Sequence, residues 1–239
     1  MWLLCAPSPD DVIVTIRSRS RAIKLVTPSE EAVADLLVTR DGVSPGLAAH
    51  AARVAQGHVG RARMIGRSED ARARRREILE LPGRLDSVSA CLEAAERLVA
   101  AAGAEATQAT ADVDAKEMAA LQESLGMGTR GVRIRSAQAA VKDLEDQQKA
   151  RSKRIQRDAL DRVLSELTSY YRDVFALQTG ATARLVNADM EPDLAHLARR
   201  TTPERTVTSL DAILAAREAL ETNVAPQRAM EALMIGLHA

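Results

Sequence analysis

Aromatic residues are nearly missing from this 239-residue chain: one Trp, two Tyr and one Phe make 2% of it. Hydrophobic residues still reach 46%. The apolar mass is therefore Ala, Leu and Val, a composition suited to helices packed closely on helices. Net charge is absent too, with 33 basic against 33 acidic residues. That balance excludes a protein held on nucleic acid or membrane by bulk charge, so any such contact must come from a local patch. The two cysteines, Cys5 and Cys91, stand far apart in apolar stretches. They exclude a disulfide framework and are expected to be buried free thiols in a reducing compartment. No Cys or His pair has metal-ligand spacing. No apolar run is long enough for a membrane span, and the start lacks a basic region and a cleavage site. A G-x-x-x-x-G-K-[ST] loop is missing, as is a strand ending in paired acids to hold magnesium. Gly126-Met127-Gly128-Thr129-Arg130-Gly131 imitates such a loop in glycine count, but no strand precedes it. A mobile linker is expected there. No internal repeat is visible.

What the chain does hold is mostly helical grammar. Ser8-Pro9-Asp10-Asp11, Thr27-Pro28-Ser29-Glu30 and Thr202-Pro203-Glu204 each offer a hydroxyl cap, Pro at the first helical position and acids in the first turn. The second is expected to form a full capping box. Strand signals occur only in the first 26 residues, at 2–6 and 22–26. Residues 28–68 read as a small bundle, with Val33, Leu36 and Leu37 on one face and Leu47, Ala51, Val54 and Ala55 on the next. Asp41-Gly42 and Gly57 close these helices. Residues 68–84, rich in arginine, read as a charged connector. From 85 onward the pattern is all-helical. Val88, Cys91, Leu92, Ala95, Leu98 and Val99 form one stripe, and Leu160, Val163, Leu164, Leu167, Tyr170, Tyr171 and Val174 the longest. Asn223 and Pro226 separate two final helices.

The most specific block is Thr15-Ile16-Arg17-Ser18-Arg19-Ser20, lying between the two strand signals. Strand, capped turn, Ser-Arg pair and second strand follow in an order that resembles the last third of an AAA+ ATPase module of the clamp-loader family. Within that family the chain is most similar to the delta-prime subunits of bacterial DNA polymerase III, in an actinobacterial style. The resemblance implies that Arg19 is a finger presented in trans to ATP held by a neighbouring subunit, where it would offset charge on the transferring phosphoryl group. Ser18 would support the turn by bonding a nearby backbone amide. Ser20 stands where the family usually has Cys.

Two further positions carry the resemblance by departing from it. Pro7 aligns with a phosphate-sensing threonine of the ATP-hydrolysing relatives and has neither a hydroxyl nor a backbone donor. Gly60 aligns with their second sensing arginine. Arg61 lies one place late, which turns a helical side chain by about 100°. Degraded sensors beside a retained outward arginine imply a subunit that completes a neighbour's site without hydrolysing ATP. The expected fold is therefore mainly α: residues 1–27 as the end of an AAA+ α/β module with two strands, 28–84 as helical lid and connector, and 85–239 as an all-α collar. The family's phosphate loop and zinc module would lie upstream of Met1, so an N-terminal truncation is expected.

The resemblance further implies gamma/tau and delta clamp-loader subunits, the sliding clamp and, indirectly, primed DNA as partners, in the cytoplasmic replisome. It implies no activity and no cofactor in this chain, with ATP-Mg bound by the partners, although the family is grouped with DNA-directed DNA polymerase, a nucleotidyltransferase. Leu160, Leu164, Leu167, Tyr171 and Val174 are expected to form the oligomer contact. A stand-alone helical adaptor using that same stripe, or a truncated gamma/tau-type ATPase, are the alternatives. The basic run Lys149, Arg151, Lys153, Arg154 and Arg157 reads as a solvated helix face. His50, His58, His196 and His238 are isolated. Asp158, Asp161 and Glu166 are expected to pair with Arg157 and Arg162 along their own helix.

Overall fold

A computed structural model describes residues 2–6, 8–125, 134–222 and 224–238. Side chains of 134–136 lie outside that description. The chain divides into two compact units, Met1–Arg67 and Ser68–Ala239.

The first unit holds a three-helix bundle: α2 (Glu30–Asp41), α3 (Pro45–Ala55) and α4 (Val59–Arg67). Its core is Val33, Leu37, Val43, Ala51, Val54, Ala62 and Ile65, all buried. Leu36 and Leu47 are only half buried. Gly42 ends α2 in the left-handed conformation at φ 67°. The Val43 amide then bonds back to the Leu37 carbonyl at 3.1 Å, which satisfies an open helix end. α2 begins two residues later than its sequence suggests. Ser29, accepting from the Ala32 amide at 3.2 Å, is the cap, and Pro28 lies before it. The full capping box forms instead at Ser8 and Asp11, around a 3-10 turn over Pro9–Asp11.

The two strands expected at 2–6 and 22–26 are not formed; among the described residues no strand occurs. The segment contains only that 3-10 turn and the one-turn helix α1 (Val14–Arg17). Trp2, Leu3, Ile23 and Leu25 are 93%, 82%, 76% and 88% exposed. A parallel-sheet strand needs neighbours on both edges and helices on both faces, and nothing in these residues supplies them. Cys5, expected in a core, is exposed for the same reason.

The second unit is all helical. It runs α5 (Glu69–Glu80), a 3-10 turn at Leu81–Gly83, α6 (Val88–Ser124), α7 (Ile134–Thr179), a 3-10 turn at Ala188–Met190, α8 (Glu191–Arg200), α9 (Pro203–Glu221) and α10 (Pro226–Leu237). Ser68, Ser87 and Thr202 cap α5, α6 and α9 through their side-chain oxygens. The stretch read as a connector is therefore a 12-residue helix. Its line Ala71, Arg75, Leu79 is buried despite the arginine content around it.

α6 and α7 pair along their length, α10 packs on α6 and α9, and α7 also meets α5, α8 and α9. Burial of Cys91, Ala94, Ala95 and Ala102 turns the small-residue face of α6 inward, while Val88 and Leu92 point outward. Burial, with Asp86 nearby, pushes the Cys91 thiol up from its ordinary value. Each fully buried aliphatic side chain contributes about 2 kcal/mol by leaving water. The main core ends at Ala102 on α6 and Ala159 on α7. Beyond it the two helices continue as an arm of about 30 Å, counting 1.5 Å per residue. Ala106, Thr110 and Ala137 are buried in the arm.

Candidate functional site

Arg19 follows the Thr15-Ile16-Arg17 turn. Its amide bonds the Ile16 carbonyl at 3.1 Å, so the turn is tied by its own backbone. The Ser20 hydroxyl reinforces it, donating to Ile16 O at 2.8 Å. Ser18 acts differently from the expectation: its hydroxyl donates to the Thr15 carbonyl at 3.3 Å and accepts no backbone amide. Arg17 is engaged, pairing Asp10 at 2.8 Å and donating to Pro9 O at 3.2 Å. The Arg19 side chain is exposed and makes no hydrogen bond or ion pair among the described residues. A guanidinium so placed is free to meet a phosphate brought to it.

Pro7, Asn223 and the 126–131 glycine segment lie outside the described residues. Gly60 sits in the first turn of α4, where a Cβ would come within 3.3 Å of the His58 ring. His58 is no isolated residue: its Nδ1 accepts from the Arg61 amide at 3.1 Å and caps α4. His50 bonds Arg53, and His238 Nδ1 donates to Leu85 O at 2.8 Å. All three histidines are thereby structural.

In the second unit the five residues expected to meet another subunit are core residues. Leu160, Leu164, Leu167 and Val174 are fully buried and Tyr171 is 4% exposed. The stripe is long because α5, α6, α8 and α9 all pack on α7, leaving no part of it for a partner. Tyr170 and Tyr171 meet edge to face, with ring centres 5.7 Å apart. Burial pushes the Tyr170 phenol up to about 12 and Tyr171 higher still.

The strongest polar constellation has almost no signature in the sequence. Arg75 on α5 is buried and donates its Nε to Glu166 on α7 at 3.0 Å. It also donates to the Asn187 side chain, and Asp189 stands 3.7 Å away. Asn187 in turn donates to Ser169 at 3.2 Å and to Asp173 at 2.9 Å. The Asp173 carboxylate accepts the Val186 and Asn187 amides at 3.2 and 2.7 Å, pinning the chain after α7. The only signal is Arg75 itself, occupying the apolar line of α5. Asp161 and Arg162 likewise pair across helices, to Arg217 and Glu105, rather than along their own.

A cavity of about 220 Å³ opens beside Tyr171, Arg200, Arg205 and His238. One of its two arginines is committed: Arg205 donates to the Gly236 and His238 carbonyls at 3.0 and 2.6 Å and holds down the end of α10. Among the described residues no group of His, Cys, Asp and Glu could hold a metal ion, and no helix is long and apolar enough to cross a membrane.

The basic run is split by its geometry. Arg151 faces α6, pairing Glu117 at 2.6 Å and Asp114 at 3.6 Å, and its hydrogen bond holds the Glu117 carboxyl below its usual range. Lys149, Lys153, Arg154 and Arg157 face solvent.

The second unit is thus an all-helical domain whose core encloses a buried polar network, Arg75, Glu166, Ser169, Asp173 and Asn187. Residues 141–237, less than half of the chain, match the family model "DNA polymerase III, delta subunit, C terminal". The match covers most of α7 and all of α8, α9 and α10, and makes this stretch similar to a domain of a clamp-loader family. No curated protein and no solved structure matches the chain.

Proposed function

We propose that this chain is a delta-prime-like, non-hydrolysing clamp-loader subunit of DNA polymerase III. The observation that carries the reading is the likeness of residues 141–237 to the C-terminal domain of the polymerase III delta family. The exposed, unpartnered Arg19 at the end of a backbone-tied turn supports the finer assignment. In this reading Arg19 offsets charge on ATP-Mg bound by a neighbouring gamma/tau-type subunit during clamp loading. The chain binds no nucleotide or metal itself, has no activity alone, and works in the cytoplasm with gamma/tau, delta, the sliding clamp and primed DNA.

The collar contact falls to apolar residues that the matched helices leave in water: Val207 and Leu214 on α9 and Ile235 on α10, 42%, 52% and 44% exposed. Exposed aliphatics of this kind mark docking surfaces when they cluster. The rival adaptor reading needs its contact on 160–174, which is buried in the core.

The test is reconstitution with ATP-hydrolysing clamp-loader subunits. Arg19→Ala should leave assembly intact and lower hydrolysis at the affected site on the order of 10³-fold. Leu214→Asp should instead weaken co-purification. Wild-type clamp loading by Arg19→Ala would refute the finger, and failure of the unmodified chain to co-purify would refute the clamp-loader reading.

A further inference from the structure

The α6–α7 arm carries an arrangement that neither the core nor Arg19 uses. Between Asp146 and Asp158 the sequence holds five cations and no acid. α7 sorts them by direction. Arg151 and Gln148 turn to α6, where Gln148 donates to Asp114 O at 3.0 Å and Arg151 takes Glu117. The nearby Glu105 is taken by Arg162. The acids on α6 opposite the run are therefore consumed inside the seam, apart from the exposed Asp112. The side chains of Lys149, Lys153, Arg154 and Arg157 remain exposed, without hydrogen bond or ion pair among the described residues. Lys149, Lys153 and Arg157 recur at one-turn steps, about 6 Å apart along the helix. That step is close to two base-pair rises of duplex nucleic acid.

We propose that this row on the arm is a docking site for the phosphate backbone of duplex nucleic acid. The chain as a whole is neutral, so the row is a local concentration of charge rather than a sample of a basic protein. Single strands are held by stacking on aromatic side chains, and none occurs between residues 134 and 169. A protein interface would want an apolar or aromatic anchor at its centre, and the row has none. Backbone contact without base contact positions a protein on a duplex and reads no sequence. The arm thus gives the chain a sequence-indifferent handle, about 30 Å long, outside its main core. The proposal does not depend on the clamp-loader reading.

The experiment is fluorescence anisotropy of a labelled 20-base-pair DNA duplex titrated with the full chain. Four phosphate contacts predict an affinity loss on the order of 10²-fold between 50 and 200 mM salt. The variant Lys149→Gln/Lys153→Gln/Arg154→Gln/Arg157→Gln keeps helix-forming residues throughout, and circular dichroism should be unchanged. It should lose most of the binding and flatten the salt dependence. Arg74→Gln/Arg76→Gln/Arg199→Gln/Arg228→Gln removes the same net charge elsewhere and should keep both. Lys153→Gln alone should lower the salt slope by about one. Equal losses in the two quadruple variants, or no salt-dependent binding by the unmodified chain, would overturn the proposal. So would displacement of the duplex by polyglutamate at lower concentration than by unlabelled duplex, which would assign the row to an acidic protein.

Discussion

Two apolar segments of similar promise in sequence meet opposite fates. Leu3, Leu4, Ile23 and Leu25 lie 63% to 88% exposed, while Leu160, Leu164, Leu167 and Val174 are fully buried. Intrinsic hydrophobicity does not separate them. The difference is the number of elements within reach. α7 is contacted by α5, α6, α8 and α9. Among the described residues up to 26 there are one 3-10 turn and one turn of helix between stretches without regular structure. A strand cannot satisfy its backbone alone, whereas a helix satisfies its own and needs a partner only for one face. Helical periodicity therefore transfers into structure more readily than strand signals do.

The largest expected effect tests the polar side of that core. Arg75→Met leaves Glu166 buried beside Asn187 without its cation. Removing one partner of a buried pair typically costs about 3–5 kcal/mol. Thermal unfolding of the second unit should fall accordingly. A Tm unchanged within error would mean that the network is not formed. Leu164→Ala should cost about 2–5 kcal/mol by leaving a cavity, and Leu25→Ala less than about 0.5 kcal/mol. Equal destabilisation by the two leucine variants, read by urea unfolding, would break the comparison outright.

These contrasts explain what is legible in the sequence. The three-helix bundle of the first unit, the helices after residue 85 and the caps at Ser8 and Thr202 follow from periodicity and local chemistry, which a single chain carries within a few residues. The Leu160 to Val174 stripe reads correctly as apolar and wrongly as a partner surface. Its neighbours α8 and α9 follow it in sequence, and their depth of packing has no local signature. α5 is hidden because Arg72, Arg74, Arg75 and Arg76 mask the line Ala71, Arg75, Leu79. The Arg75–Glu166–Asn187 network joins residues 91 and 112 positions apart, a separation no spacing rule reaches. Arg19 is legible as an exposed arginine because a short helix end projects whatever follows it.

A smaller effect sharpens the contrast inside the first unit. Gly57 has φ 85°, and a Cβ there would lie 2.2 Å from the Thr27 methyl carbon. Thr27 lies in an exposed stretch without regular structure and can yield, so the left-handed backbone dominates. Gly57→Ala should destabilise the bundle by about 1–2 kcal/mol. A stabilised variant, by the usual gain from removing glycine's freedom in the unfolded chain, would show that this turn does not hold its φ.

The smallest expected effect is electrostatic and sets the acid limit of the same bundle. Asp41 accepts both Arg63 Nε and Nη2, at 2.7 and 2.8 Å. That hydrogen-bonded pairing lowers the Asp41 carboxyl below its ordinary 3.8. A carboxyl depressed in the folded state stabilises fully above its unfolded value, and the contribution is lost as pH falls through the folded one. The bundle should therefore lose stability between about pH 4 and the lower pKa of the folded carboxyl, through this pair. Arg63→Gln removes the guanidinium and should flatten that part of the profile while leaving the slope near neutrality unchanged. Urea midpoints, followed by backbone amide signals of α2 and α4 from about pH 6 down to pH 3, read the difference directly. An identical acid slope in the variant would mean that Asp41 owes its depressed pKa to other charges, of which Arg67 and Arg40 are the nearest contributors.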